Sequence, residues 1–179
     1  HTERLNTIVK NVLQLSRRQK PAIEKIYLSE WLPRFIHDLS IELITLPEQF
    51  SINVNPQELY IWMDSSHLDQ VLRNLCSNAF THSPHHDETA DVELYAGIDA
   101  DSNGIFLEVR DYGKGIDDKT AEKVFEPFFT TNAQGTGLGL YLSKELCENN
   151  GARLQLFPRE GYGACFRITF TRYPEDLNE

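Results

Sequence analysis

Gly135, Gly137 and Gly139 alternate just ahead of a run in which Leu138, Tyr141, Leu142 and Leu146 recur at helical spacing and Asn150-Gly151 supplies a stop. The first turn of such a helix carries unpaired N–H groups and a partial positive charge. Glycine lets that backbone approach an anion with no Cβ in between. The stretch reads as a phosphate seat or as a Gly-rich hinge before a core helix, and taken alone the two readings stand level. Other phosphate loops fit less well. No G-x-x-x-x-G-K-[ST] is present, and the segment Phe125-Glu126-Pro127-Phe128-Phe129 stands where a dinucleotide G-x-G-x-x-G would need a strand.

A second chemical candidate is Asp111. Ile105, Leu107 and Val109 alternate with Phe106, Glu108 and Arg110, so Asp111 falls on the face of the apolar trio. A carboxylate aimed at a core needs a partner. Gly113 and Gly115 leave room beside it for a ligand; the bland reading is a strand end with a hydrogen-bonded Asp. The third candidate is a polar edge on one helix, where Asn74, Asn78 and His82 sit at i, i+4 and i+8. Amide oxygens suit Mg²⁺, although a solvated helix face has the same appearance. His85 and His86 lie in a charged loop and read as exposed before they read as metal ligands.

These groups need elements to hold them. Leu68, Val71, Leu72, Leu75 and Ala79 form the buried stripe of the helix that bears the amides, with Ser66 and Asp69 resembling a capping box at its start. Val92 to Ile98, Leu154 to Phe157 and Ala164 to Phe170 read as strands, and Gln49 to Met63 reads as a hairpin around Asn55-Pro56-Gln57. Ser29 is the expected cap of a helix carrying Trp31, Leu32, Phe35, Ile36, Leu39 and Leu43. Leu5, Ile8, Val9, Val12 and Leu15 stripe an amphipathic helix from Thr2 to about Arg18, and Arg17-Arg18-Gln19-Lys20-Pro21 looks like a boundary after it. The acidic end from Pro174 to Glu179 is expected to fray.

At 179 residues, 40% hydrophobic and 25% charged, the chain matches an ordinary globular composition with one core. Its formal charge of −10 argues against nucleic acid as a partner. Cys76, Cys147 and Cys165 lack C-x-x-C spacing and sit within apolar patterns, as reduced core residues would. No apolar run approaches the ~20 residues that span a bilayer. A start at His1, without Met or signal peptide, is what a piece of a longer protein would show.

Asn74-x-x-x-Asn78, Asp111-x-Gly113-x-Gly115, Phe125-Glu126-Pro127-Phe128-Phe129 and Gly135-Thr136-Gly137-Leu138-Gly139-Leu140 follow in order. Together they resemble the N box, first glycine box, F box and second glycine box of the catalytic ATP-binding domain of sensor histidine kinases, within the group that includes gyrase, a heat-shock chaperone and MutL. Arg4-Leu5-Asn6 through Leu13-Gln14-Leu15-Ser16-Arg17-Arg18 looks like the second helix of the kinase dimerisation bundle. Tyr141 to Cys147 and Gly163 to Phe170 look most like the nitrogen-regulation and type IV pilus (PilS-like) sensor kinases.

The resemblance implies an α+β fold: a two-layer α/β sandwich with a mixed sheet of about five strands and helices on one face. It implies a dimerisation-helix remnant over residues 1–20 and a catalytic ATP-binding domain over 21–179. Asp111 would accept from the adenine amino group; Asn78, with Asn74 beside it, would hold Mg²⁺ and serve the transfer chemistry. His82, Gly113, Gly115, Phe128, Thr130 and Thr131 would border the nucleotide, and Gly135, Thr136, Gly137, Leu138, Gly139 and Leu140 would seat its phosphates. Phe125, Phe128 and Phe129 would anchor a short lid. An Asn at 74, where the gyrase group places a catalytic Glu, suits transfer to an imidazole better than activation of water.

The implied reaction moves the γ-phosphoryl group of Mg·ATP to a His on a dimerisation helix and then to an Asp of a response regulator, NtrC-like in type and acting on transcription. The parent would be a homodimer anchored in a bacterial inner membrane with this domain in the cytoplasm. Thr81, Asn132 and Ala164 depart from the family's usual basic, basic and hydroxyl residues, which predicts weaker nucleotide affinity. None of His1, His37 and His67 stands in the full phosphoacceptor context, a following acidic residue together with a Pro shortly after it; His37 precedes Asp38 but no such Pro. The competing readings are a gyrase- or MutL-type ATPase and a non-catalytic nucleotide-sensing module.

Overall fold

The computed structural model describes residues 2–16, 20–85, 89–133 and 135–171, the side chains of 14–16 excepted. The expected boundary at Arg17 to Gln19, the ligand candidate His86 and the acidic end Pro174 to Glu179 lie outside these residues. Helix α1 (Thr2–Ser16) is followed by β1 (Glu24–Tyr27), α2 (Leu28–Glu42), β2 (Phe50–Val54), β3 (Tyr60–Met63) and α3 (Ser65–His82). Then come β4 (Val92–Ile98), β5 (Ile105–Asp111), the short α4 (Asp118–Ala121), α5 (Gly139–Asn149), β6 (Ala152–Leu156) and β7 (Cys165–Phe170). None of the described helices is long and apolar enough to cross a membrane.

Five strands make one sheet in the order β2-β4-β5-β7-β6, with β2 parallel to β4 and the other pairs antiparallel. Alternation gives this sheet one apolar face. Val54, Ala96, Leu107, Ile168 and Leu154 meet across it in register, and α3 packs there on β4 and β5 while α5 packs on β6 and on α3. Leu68, Val71, Leu72, Leu75 and Cys76 of α3 are essentially inaccessible in the core between them. The α+β sandwich with a mixed five-stranded sheet is therefore the observed architecture.

The expected hairpin over Gln49 to Met63 is not formed. β2 lies parallel beside β4, whereas β3 pairs antiparallel with β1 in a separate two-stranded sheet, Ile61 opposite Ile26. Alternation reports which face a residue takes and not which strand lies alongside, so it gives no sign that the fold separates these two adjacent strands. The caps also differ. Asp64, one residue outside α3, accepts from the N–H groups of Ser66 (2.9 Å) and His67 (3.3 Å), while Ser66 donates its hydroxyl to the same oxygen. Asp69 instead pairs with Arg73 (2.6 Å). Ser29 lies inside α2, which starts after Tyr27 without a side-chain cap, Leu28 N–H being taken by Leu59 O (3.1 Å).

Asp64 also ties three elements together. Its Oδ2 accepts from Ala22 N (2.9 Å) and its own N–H donates to Asn150 Oδ1 (3.0 Å), so the entry to β1, the start of α3 and the end of α5 share one knot. Asn150 closes α5 as expected and is 1% exposed. All three cysteines are free and buried, and burial pushes the Cys147 and Cys165 thiols up to about 12.

Among the described residues, the sheet's other face carries a layer of arginines and aromatic rings. Glu108, at the centre of β5, accepts from Arg110 (2.7 Å), Arg159 (3.0 Å) and Arg167 (2.7 Å). Arg110 lies over the Tyr95 ring and Arg167 between Phe106 and Phe157. Burial alone would raise the Glu108 carboxyl; hydrogen bonds from Arg159, Arg110 and Arg167, with the charge of Arg110, outweigh it and hold the group below its usual value of 4.5.

A carboxyl held low contributes stability that is complete above about 4.5 and is lost as pH falls below it. Urea midpoints should therefore drop more steeply on acidification in the wild type than in Glu108→Gln, which at neutral pH itself costs about 3 to 5 kcal/mol by stranding arginines. At the end of α2, Ile44 sits at φ 53° with 93% exposure, in the position after the helix where glycine is preferred. Thr45 N–H donates to Ser40 O (2.9 Å) and closes that turn. Ile44→Gly should raise stability by about 1 kcal/mol, read as a higher urea midpoint at unchanged slope.

Candidate active site

Between α3, the ends of β5 and β7 and the loops before and after α4 lies a cavity of ≈ 710 Å³. Position on the sheet decides what stands at its floor. Asp111 is the last residue of β5 and is on the apolar face with Val109 and Leu107, and it is 5% exposed. Its Oδ1 accepts from Gly113 N (2.9 Å) and Ala164 N (2.9 Å). Among the described residues nothing donates to Oδ2, and Asp111 lines the cavity.

The glycines around this carboxylate are there because two backbone segments touch. A Cβ on Gly163 would lie 2.3 Å from Asp111 Oδ1 and 2.5 Å from Gly113 O, and one on Gly113 would lie 2.5 Å from His82 O. Gly115 adopts φ +78°, which a side chain resists. Gly163 N–H donates to Asp111 O (2.8 Å), so the turn before β7 is stitched to the end of β5 from both sides.

At the opposite end α5 begins at Gly139 without a side-chain cap, which leaves its first-turn N–H groups directed at the cavity mouth. Gly137, at φ +74°, lies so close to Phe128 that a Cβ would sit 2.4 Å from its carbonyl carbon; Gly137 O accepts from Phe128 N (2.8 Å). Phe128 is itself in the left-handed region (φ 65°) and 66% exposed. Thr130 Oγ1 accepts from Asn132 N (3.1 Å) and Gly135 N–H donates to Asn132 O (3.0 Å), folding this loop on itself.

Asn74 faces across to α5. Its Nδ2 donates to Gly139 O (3.2 Å) and to Ser143 Oγ (3.1 Å), so its amide fixes the start of that helix, and its Oδ1 accepts no hydrogen bond among the described residues. Asn78, one turn on, is exposed and makes no hydrogen bond among the described residues. Two amide oxygens on one edge form a donor set that a hard cation accepts. Among the described residues no cluster of His, Cys, Asp and Glu could hold a metal. His85 instead contacts Asp91 (2.6 Å) and the Phe80 ring.

Asn74, Asn78, His82, Asp111, Gly115, Thr130 and Thr131 all line the cavity, as do Gly135, Thr136, Gly137, Gly139 and Leu140. Gly113, Phe128 and Leu138 do not. Gly113 gives close approach behind Asp111, Phe128 points to solvent, and Leu138, 2% exposed, anchors α5 in the core. The wall also holds Lys114, Ile116, Asp117, Phe129 and Ala164, with Glu3, Arg4, Thr7 and Asn11 from α1. Sequence reasoning missed Ser143, although it lies four residues after Gly139 on the same helix face. The α1 residues carried no signal, since only tertiary placement brings them there.

Residues 63–174 match the family described as histidine kinase-, DNA gyrase B-, and HSP90-like ATPase, and the chain belongs to that family of ATP-binding domains. It is 41% identical over 177 residues, 99% of its length, to the sensor protein kinase PilS of Pseudomonas aeruginosa, and 31% identical over 166 residues to the sensor histidine kinase ZraS of Salmonella typhimurium. It spans about a third of the length of these relatives, 33% and 35%. The solved catalytic domain of histidine kinase ThkA superposes with a TM-score of 0.66 at 27% identity, covering 86% of this chain and 97% of that one. The chain thus carries an ATP-binding catalytic domain of the histidine-kinase type.

Gly161 and Gly163 separate two effects within one turn. Gly161 adopts φ +85° with nothing within 4 Å, so Gly161→Ala meets only backbone strain, about 1 kcal/mol. Gly163→Ala forces apart Asp111 and Gly113 and should cost about 2 to 3 kcal/mol. Thermal melts of the two variants should order them in this way.

Proposed function

We propose that this domain takes Mg·ATP with the adenine against Asp111 and the triphosphate against the N-terminus of α5. In the whole protein it then transfers the γ-phosphoryl group to a histidine on a helical dimerisation element. One observation carries the reading: Asp111 spends one oxygen on Gly113 and Ala164 and presents the other to a cavity that ends at an uncapped helix.

Oδ2 of Asp111 accepts from an exocyclic amino group. Guanine places a carbonyl oxygen there, and two acceptors facing each other in a buried site repel. The free N–H groups of α5 and the glycines 135, 137 and 139 receive phosphate oxygens. Mg²⁺, held through the amide oxygens of Asn78 and Asn74, supplies charge neutralisation at the phosphates. Neither amide abstracts a proton from water, so the site positions a phosphoryl group for an incoming nucleophile and does not prepare a water of its own. His82 and Phe129 close the sides.

The remaining assignments are proposals that rest on the resemblance alone. Residues 1–20 end a dimerisation helix and 21–179 form the catalytic domain. The parent is a homodimer anchored in a bacterial inner membrane, with this domain cytoplasmic, and the phosphoryl group passes to the receiver domain of an NtrC-like response regulator that controls transcription. A non-catalytic nucleotide-sensing module is the second reading, favoured by Thr81 and Asn132, which place uncharged side chains on the cavity wall. A gyrase- or MutL-type ATPase requires a carboxylate where Asn74 stands.

Adding a separate His-bearing helical bundle and Mg·ATP should place acid-labile phosphate on the bundle, and Asn78→Ala should abolish it. Tight ATP binding with no transfer would favour the sensing module. Asp111→Asn should weaken ATP binding by about 1.5 to 3 kcal/mol in calorimetry, with the fold intact by circular dichroism. Unchanged affinity in that variant overturns the adenine assignment.

A further inference from the structure

We propose that Arg4 of α1 is a nucleotide-binding residue, a guanidinium brought from outside the α/β body to the phosphates of the bound nucleotide. The proposal rests on the cavity being a nucleoside triphosphate site. A triphosphate needs cationic partners. The Lys and Arg residues on the described wall are Lys114 and Arg4, against the carboxylates of Glu3, Asp111 and Asp117. Lys114 sits between Gly113 and Gly115, beside the carboxylate that takes the base. The loop from Thr130 through Leu140 contains no Lys or Arg, and Lys144 on α5 is stacked over Phe125. The phosphate end is thus short of positive charge unless α1 supplies it.

Arg4 is available for this. Arg73, Arg110, Arg159 and Arg167 are engaged in ion pairs and Arg34 in a bond to Glu30 O. Arg4 has no hydrogen bond or ion pair among the described residues, yet lines the cavity. The helix is also oriented for it. At about 100° per residue, positions 3, 4, 7 and 11 occupy one arc of roughly 100°, and Leu5, Val9 and Val12 centre about 150° away. Those three apolar residues are 60%, 53% and 48% exposed. One face of α1 therefore belongs to the cavity and the other does not. Glu3 shares the cavity face and offsets part of the attraction, so Arg4 acts through a direct, forked contact and not through a diffuse field.

Calorimetry of the chain with Mg·ATP, Mg·ADP and adenosine, in wild type and in Arg4→Gln and Arg4→Lys, tests this. Arg4→Gln should weaken ATP by about tenfold, with adenosine unchanged and Arg4→Lys intermediate. Unchanged ATP affinity in Arg4→Gln overturns the proposal, as does an equal loss for adenosine, which would make α1 a prop for the cavity. If wild type binds ATP, and Asp111→Asn weakens it but Arg4→Gln does not, this inference alone falls. If wild type takes up neither ATP nor adenosine, the nucleotide reading itself falls and takes this one with it.

Discussion

The division of one carboxylate's hydrogen bonds is what the cavity depends on. Two backbone N–H groups, from Gly113 and Ala164, fix Oδ1 of Asp111, and this makes the residue rigid without saturating it. Both donors are backbone, so their positions are set by chain path and not by rotamers. That path exists because β5 and β7 are hydrogen-bonded neighbours up to Arg110 and Cys165, with Asp111 N–H donating to Ala164 O (2.9 Å) one step beyond. Departure from the family's usual hydroxyl at 164 leaves this contact intact, since the main chain makes it.

Much of this was legible in the sequence where a single element carries the signal. The stripe of α3, the apolar alternation of β4 through β7 and the Asn150-Gly151 stop each report burial along one segment, and each is observed. The phase of β5 alone placed Asp111 on the core face. Three things were not legible, for different physical reasons. β2 and β3 have their own alternation, but strand pairing is a contact between distant segments and leaves no mark on either. β1 is four residues long with one buried side chain, Ile26, too little to show a period. Asp64 and not Ser66 stands at the cap, and its second oxygen holds Ala22, a partner 42 residues away that no local pattern announces.

The site shows the same split. Residue type and spacing marked Asn74 and Asn78 as unusual, yet not that Asn74 would reach across to Gly139 and Ser143. That bond makes the helix mouth and the amide edge one unit: α5 cannot shift its first turn without breaking the contact that aims Asn74. Gly137 has a comparable part on the other side, because only a residue without Cβ lets Phe128 close against it, and Phe128 accepts a left-handed backbone in doing so.

The arginines around Glu108 have a consequence for alignment. In β5, neighbouring residues face opposite sides, so a slip of one position would turn Asp111 outward and present Arg110 to the cavity, replacing an acceptor with a guanidinium. Three cations drawn from β5, β7 and the turn at Arg159 converge on Glu108 in the observed pairing, Glu108 opposite Arg167. A shifted strand would carry that carboxylate away from all but its own neighbour. The ionic layer on the far side of the sheet thus works as a key for the strand, and the polarity of the nucleotide pocket is guarded by residues that never touch it.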